Sequence, residues 1–248
     1  MKRRIMWINP IGISALDLPI KIFLDSLKKP ETCINVVSLK KGPSHLNYHY
    51  YEAGVLLDTV NLVRQAEQEG YDAAIIGCFY DTGLHESREI TDRLIVVAPG
   101  ESSLHLAITL GRRVSVIVSK PKCIPKMKSN LLNHGFNENI VSFKSADLDV
   151  HEFRKNPSHT RDRLTDLAKR SMEEDMAEVI ILGCTAQLGF FRDLQEEIGI
   201  PVIDAVAAPL KYAEFLVELK KRFGFSHSKM WAYKSPSREE MDLVCSLG

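Results

Sequence analysis

Two cysteines in this chain end nearly identical apolar runs. Cys78 follows Gly77 in "AAIIGCFYDTGL", and Cys184 follows Gly183 in "VIILGCTAQLGF". Each run reads as a buried strand that breaks at Gly-Cys, and in a parallel sheet ligands collect beyond the carboxyl ends of the strands. The residues after each cysteine can open a helix. Its unpaired N–H groups and positive dipole end would favour thiolate and lower the thiol pKa from about 8.5. Two such thiols at one cleft suit a particular chemistry. Inverting a carbon centre by proton exchange needs one base on each face. A thiolate removes the proton, a thiol supplies one from the opposite side, and the roles reverse for the other enantiomer. N–H groups at the helix starts would stabilise the carbanion or enolate. This chemistry requires no metal and no organic cofactor, and the sequence carries no motif for either.

A cysteine ending one apolar strand is most often a small buried hydrophobe. Two at matched positions, each after a glycine that lets backbone approach a ligand closely, outweigh that reading. Of the five cysteines, Cys33, Cys123 and Cys245 lack a partner pattern, and Cys33, at the start of a strand, reads as core. No CxxC pair exists, so zinc-finger and thioredoxin readings have no support. In a reducing compartment these are free thiols.

The elements that must position the pair are short and alternate in type. Expected strands are Arg4–Pro10, Cys33–Leu39, Asp72–Cys78 and Arg93–Pro99, then Val114–Ser119, Asn139–Phe143, Glu178–Cys184 and Ile200–Ala205. They are continuous and rich in Val and Ile, as strands buried on both faces of a parallel sheet are. Helical periodicity fills the gaps, in "YEAGVLLDTVNLVRQAEQEG", "SHTRDRLTDLAKRSMEEDMAE" and "AAPLKYAEFLVELKKRFG". The fold class is therefore α/β. The two sets of four strands look like copies of one unit. The expectation is two similar lobes, each a roughly four-stranded parallel sheet flanked by helices, related by pseudo-twofold duplication with the site between them. Residues 1–97 plus 208–248 would form the first lobe and 98–207 the second, the final helix crossing back.

Composition sets the outer bounds. The chain has 248 residues, 45% of them hydrophobic, and 32 basic against 32 acidic residues give no net charge. No broad basic surface for nucleic acid is indicated. "MKRRIMWINPIG" is basic, but its apolar stretch is short, breaks at a proline and lacks a small-residue cleavage site, unlike a secretory signal. No stretch approaches the ~20 apolar residues of a membrane span. A soluble, cytoplasmic protein acting on a small molecule, with no membrane or nucleic-acid partner, is expected.

The sequence resembles the aspartate/glutamate/hydantoin racemase superfamily, most closely its hydantoin and allantoin racemase branch. The pieces that carry the resemblance are "INP" at Ile8–Pro10, "GCFYDTGL" at Gly77–Leu84, "GESSLHLA" at Gly100–Ala107, "GRRVSVI" at Gly111–Ile117, "LGC" at Leu182–Cys184 and "GIPVIDAVAAPLKYAE" at Gly199–Glu214. They span nearly the whole chain to about Phe223. The resemblance implies a two-lobed fold, cofactor-independent racemisation of a 5-substituted hydantoin or an allantoin-like cyclic ureide, and a homo-oligomer. It implies Cys78 and Cys184 as the acid/base pair. It also implies a pocket formed by Asn9 and Pro10 at the first strand, Phe79 and Thr185 after the cysteines, and Ser119 ending the first strand of lobe two. The loop "GPSHLNYHYYEA" resembles the family's substrate-covering loop and places Leu46 at a contact.

The chain departs from the family pattern in places. "NPIG" stands where Asn-Pro-Asn-Thr is frequent, Tyr80 and Thr82 replace a small residue and a proline, His45 replaces a small residue, and Thr185 follows the amino-acid racemases. These departures bear on the substrate more than on the reaction type. The candidate substrate-binding set is completed by His45, Tyr80 and Ala186. Asp81 is expected to cap a helix or hold the elbow, and Glu101 to sit favourably at a helix start. The histidines and tyrosines of residues 45–51 read as a solvated loop flank, with a lid wall as the sharper alternative. Competing functions are racemisation of an acidic amino acid, maleate-type cis–trans isomerisation with a nucleophilic cysteine, thiol redox chemistry through a Cys78–Cys184 disulfide, and a non-catalytic flavodoxin-like small-ligand sensor.

Overall fold

The Val- and Ile-rich runs form two four-stranded parallel sheets, in the orders β2-β1-β3-β4 and β6-β5-β7-β8. The structure, a computed structural model, describes residues 2–136 and 138–245, and the side chain of Cys245 lies outside the described residues. The chain divides into two compact units. One holds residues 1–77, 81–98 and 209–248, the other residues 78–80 and 99–208.

In the first unit β1 (Arg3–Asn9), α1 (Asp17–Leu27), β2 (Thr32–Ser38), α2 (His49–Gln68), β3 (Ala73–Ile76), α3 (Leu84–Ile90) and β4 (Ile95–Val97) alternate. The central strands β1 and β3 pair in register with Ile8 opposite Ile76. All four residues of β3 are buried, as a strand covered by helices on both faces must be. β2 is different. It is an edge strand whose burial alternates over its first four residues, so Cys33 is exposed and is not core as its position in a Val-rich run suggests.

The second unit repeats the plan. α4 (Pro99–Leu110), β5 (Val114–Val118), α5 (Ile124–Asn133), β6 (Ile140–Ser145), α6 (Pro157–Asp175), β7 (Val179–Leu182), α7 (Phe191–Ile198) and β8 (Val202–Asp204) follow in order. α6 stops sooner than its periodicity suggests, because Met176 takes a left-handed φ of 54°. α8 (Ala207–Phe223) then leads into the first unit, where α9 (Arg238–Cys245) also lies. The buried Glu214 of α8 accepts hydrogen bonds from Thr32 Oγ1 at 2.6 Å and Lys29 N at 2.7 Å, which ties this helix to the start of β2. Among the described residues no helix is long and apolar enough to cross a membrane.

Candidate active site

The end of β1 is fixed by its own hydrogen bonds. The buried Asn9 accepts from Trp7 Nε1 at 2.6 Å and donates to Asp17 Oδ1 at 2.7 Å. The same carboxylate oxygen accepts from Ser38 Oγ at 2.6 Å. The Asn9 amide is thereby locked in one orientation. Pro10 is buried beside it, and the chain turns at once, with Ile11 N donating to Asn9 O. Gly12 then lies against the loop that precedes α2, since a Cβ on Gly12 would come within 2.1 Å of Gly42 N. That contact gives "NPIG" a structural reason: only glycine admits the loop. The loop carries Leu46, which is buried, and His45, which is half-buried. His45 stands 5.5 Å from the Tyr51 ring, and Tyr48 and Tyr51 meet edge-on at 4.9 Å. Tyr48, His49 and Tyr50 face solvent.

The two cysteine elbows are built alike. Gly77 N donates to Ile8 O at 2.7 Å, and Gly183 N donates to Ile117 O at 2.8 Å. Each is the last ladder bond from the outgoing strand to its central neighbour. Protein atoms alone are enough to require these glycines. A Cβ on Gly77 would lie 2.3 Å from Trp7 Nε1, and one on Gly183 2.7 Å from Val116 Cγ1.

The first elbow does not run straight into a helix. β3 ends at Ile76 and α3 begins only at Leu84, after Asp81 and Gly83 have taken left-handed φ values of 53° and 76°. Leu84 N donates to Asp81 O at 3.0 Å within that turn. Cys78, Phe79 and Tyr80 pack with the second unit, although the strand before them and the helix after them belong to the first. The buried Phe79 approaches the second elbow, its Cε1 lying 3.6 Å from a Cβ placed on Gly183. Cys78 is half-buried and not in a disulfide.

Cys184 is also half-buried and free. It caps a single 3-10 turn, Thr185–Gln187, and α7 starts only at Phe191. The N–H groups of Ala186 and Gln187 point at its sulfur and favour thiolate, but burial outweighs them and pushes the thiol up to about 11. The expectation of a depressed pKa at this position is thus corrected. One short turn supplies two N–H groups without the macrodipole of a helix, and desolvation of a charged sulfur costs more than they return. Thr185 is partly exposed and Ala186 buried.

Tyr80 joins these groups. Burial raises its phenol well above the usual value, and a hydrogen bond to Cys123 adds to the effect, as would thiolate charge on the neighbouring cysteines. One phenol therefore lies within electrostatic reach of both elbow sulfurs. Cys123 is buried and lies 3.6 Å from Ser119 Oγ at the end of β5. Cys78, Phe79, Tyr80, Ser119, Cys184, Thr185 and Ala186 all belong to the second unit, whereas Asn9, Pro10, His45 and Leu46 belong to the first. Glu101 stands in the first turn of α4.

Two residues that the sequence did not single out shape the second elbow. The buried Asp204 accepts from Gly189 N, Val206 N and Ala207 N at 2.8, 2.7 and 3.0 Å, fixing the loop after Cys184 to the start of α8. Its signal was an Asp just before a helical run, the ordinary preference at an N-terminus. Gln187 is fully buried, and neither atom of its amide group has a hydrogen-bond partner. Nothing in its sequence context signals that. Among the described residues no group of three or more His, Cys, Asp or Glu is placed to hold a metal ion.

Known proteins share this architecture. A family model described as Asp/Glu/Hydantoin racemase matches residues 21–213. A hydantoin racemase of Pseudomonas sp. (strain NS671) is 34% identical over 237 residues, covering 96% of this chain and 93% of that protein. A hydantoin racemase of Paenarthrobacter aurescens is 32% identical over 238 residues, covering 96% and 99%. Among solved structures, allantoin racemase from Klebsiella pneumoniae is similar with a TM-score of 0.89 at 26% identity, covering 96% of this chain and 95% of that one.

Proposed function

The chain belongs to the Asp/Glu/hydantoin racemase family, on its hydantoin and allantoin racemase branch, and from that premise we propose that it inverts the ring carbon of a 5-substituted hydantoin or a related, allantoin-like cyclic ureide. Cys78 and Cys184 are the two bases. The observation that supports this reading is that Cys78 and Cys184 each lie, after a glycine, two residues past the end of a buried parallel strand and belong to one compact unit.

The proton balance follows from two sulfurs holding one proton. For one enantiomer, Cys78 Sγ as thiolate takes the hydrogen from the ring carbon, and the electron pair moves into the adjacent carbonyl to give an enolate. Cys184, held as a thiol by burial, returns a proton to the same carbon from the opposite face. Cys78 is then the thiol and Cys184 the thiolate, and the reverse reaction starts there. The N–H groups of Ala186 and Gln187 lessen the cost of charge on Cys184 when it takes its turn as base. Phe79, Tyr80, Ser119, Thr185 and Ala186, which belong to the same unit as both sulfurs, form the substrate-binding set there.

Deuterium uptake from D₂O at the ring carbon, followed for each enantiomer of several 5-substituted hydantoins and of allantoin, tests the reading. Exchange with at least one is expected, and no exchange with any removes this substrate class.

A further inference from the structure

Helix α5 holds one side chain of the first elbow from three directions. Cys123, just ahead of it, and its own Lys126 and Asn130 recur at three- and four-residue spacing, which aligns them on one face. All three reach Tyr80. Asn130 Nδ2 donates to the backbone oxygen of Tyr80 at 2.5 Å. Lys126 Nζ stands 4.6 Å from the centre of the Tyr80 ring, in a cation–π contact. The Cys123 thiol hydrogen-bonds the phenol. Backbone, ring face and hydroxyl are thus each restrained, and the side chain is 6% exposed. Burial lowers the Lys126 ammonium to about 8, so it still carries most of its charge at neutral pH.

A ring held this way is a wall, because a packed aromatic with its polar end bonded does not swing aside without breaking those contacts. We propose that Tyr80, two residues past Cys78 in the first elbow, is a specificity-determining residue whose fixed ring restricts the substrate to a small substituent on the reacting ring carbon. This rests on the hydantoin-type reading of the site. Pocket contacts that reject or admit a methylene-sized group discriminate by roughly 10–200-fold, so the ring against no ring is a measurable difference.

The test compares kcat/KM for 5-methylhydantoin and 5-benzylhydantoin in wild type, Tyr80→Phe and Tyr80→Ala, with thermal melts to establish folding. Wild type is expected to prefer the methyl compound, Tyr80→Phe to keep that preference, and Tyr80→Ala to move the ratio toward the benzyl compound by at least about tenfold. A folded Tyr80→Ala with the wild-type ratio overturns the proposal, as does a wild type that prefers the benzyl compound. If Tyr80→Ala does not fold, Lys126→Met and Cys123→Ala loosen the same ring without removing it; both leaving the ratio unchanged has the same force. A wild type that exchanges neither compound, nor any other ureide, instead defeats the functional reading itself.

Discussion

Asp204 Oδ2 accepts a hydrogen bond from Gly189 N at 2.8 Å, and so binds the loop that begins at Cys184 to the last residue of β8. The other carboxylate oxygen takes the amides of Val206 and Ala207 at the start of α8. Both oxygens are acceptors, and an amide has only one. Asp204→Asn therefore turns an NH₂ toward a backbone N–H. The expected cost is about 1–3 kcal/mol of stability, read from urea melts, with a fall in kcat because the Cys184 turn loses its anchor. Unchanged stability and kcat would show that the carboxylate merely fills space.

Replacing either elbow sulfur removes one of two proton carriers. Cys78→Ser and Cys184→Ser are each expected to lower racemisation by at least ~100-fold, since a hydroxyl is too weak an acid to alternate with a thiolate near neutral pH. Polarimetry on a turned-over hydantoin measures this. Full activity in either variant would sink the two-base assignment.

The raised pKa of Cys184 gives stability a definite pH dependence. In the folded chain the thiol keeps its proton up to about 11, whereas an unfolded chain loses it near ~8.5. The stabilisation is complete below the unfolded value and disappears as pH rises through the folded one. Unfolding free energy should thus decline from about pH 8.5 to 11, and Cys184→Ala should flatten part of that decline. Urea melts of both proteins across the alkaline range decide it; identical slopes would mean the sulfur is not desolvated.

Lys229 places its ammonium against the end of α3, where Nζ donates to Arg88 O, Glu89 O and Thr91 O at 2.8, 2.8 and 2.9 Å. Its three hydrogens meet three carbonyls at the negative end of the helix. His227 Nε2 in the same tail accepts from Val96 N at 3.0 Å. Lys229→Met keeps the stem and removes the donors. It should destabilise the protein by about 1–3 kcal/mol and expose the tail after α8 to limited proteolysis. A cleavage rate equal to wild type would mean that other contacts hold the tail.

The sequence by itself determined the strands, their parallel class and the two elbows. Val and Ile runs such as those around Ile75 and Ile181 can satisfy their burial only inside covered sheets, and glycine before each cysteine is a local signal. It placed the strands of β3 and β7 through their cysteines, whereas both end two residues earlier. The tertiary structure alone decided what those glycines make room for, which is Trp7 in one unit and Val116 in the other. It alone decided that Cys33 faces solvent on an edge strand. It alone brought Cys123, Lys126 and Asn130, neighbours aligned along one helix face, to Tyr80, which is far from them in sequence. The protonation of Cys184 belongs to the same class. A thiol followed by two N–H groups reads as an acidified one, and only its burial, a sum over neighbours from many elements, reverses the sign.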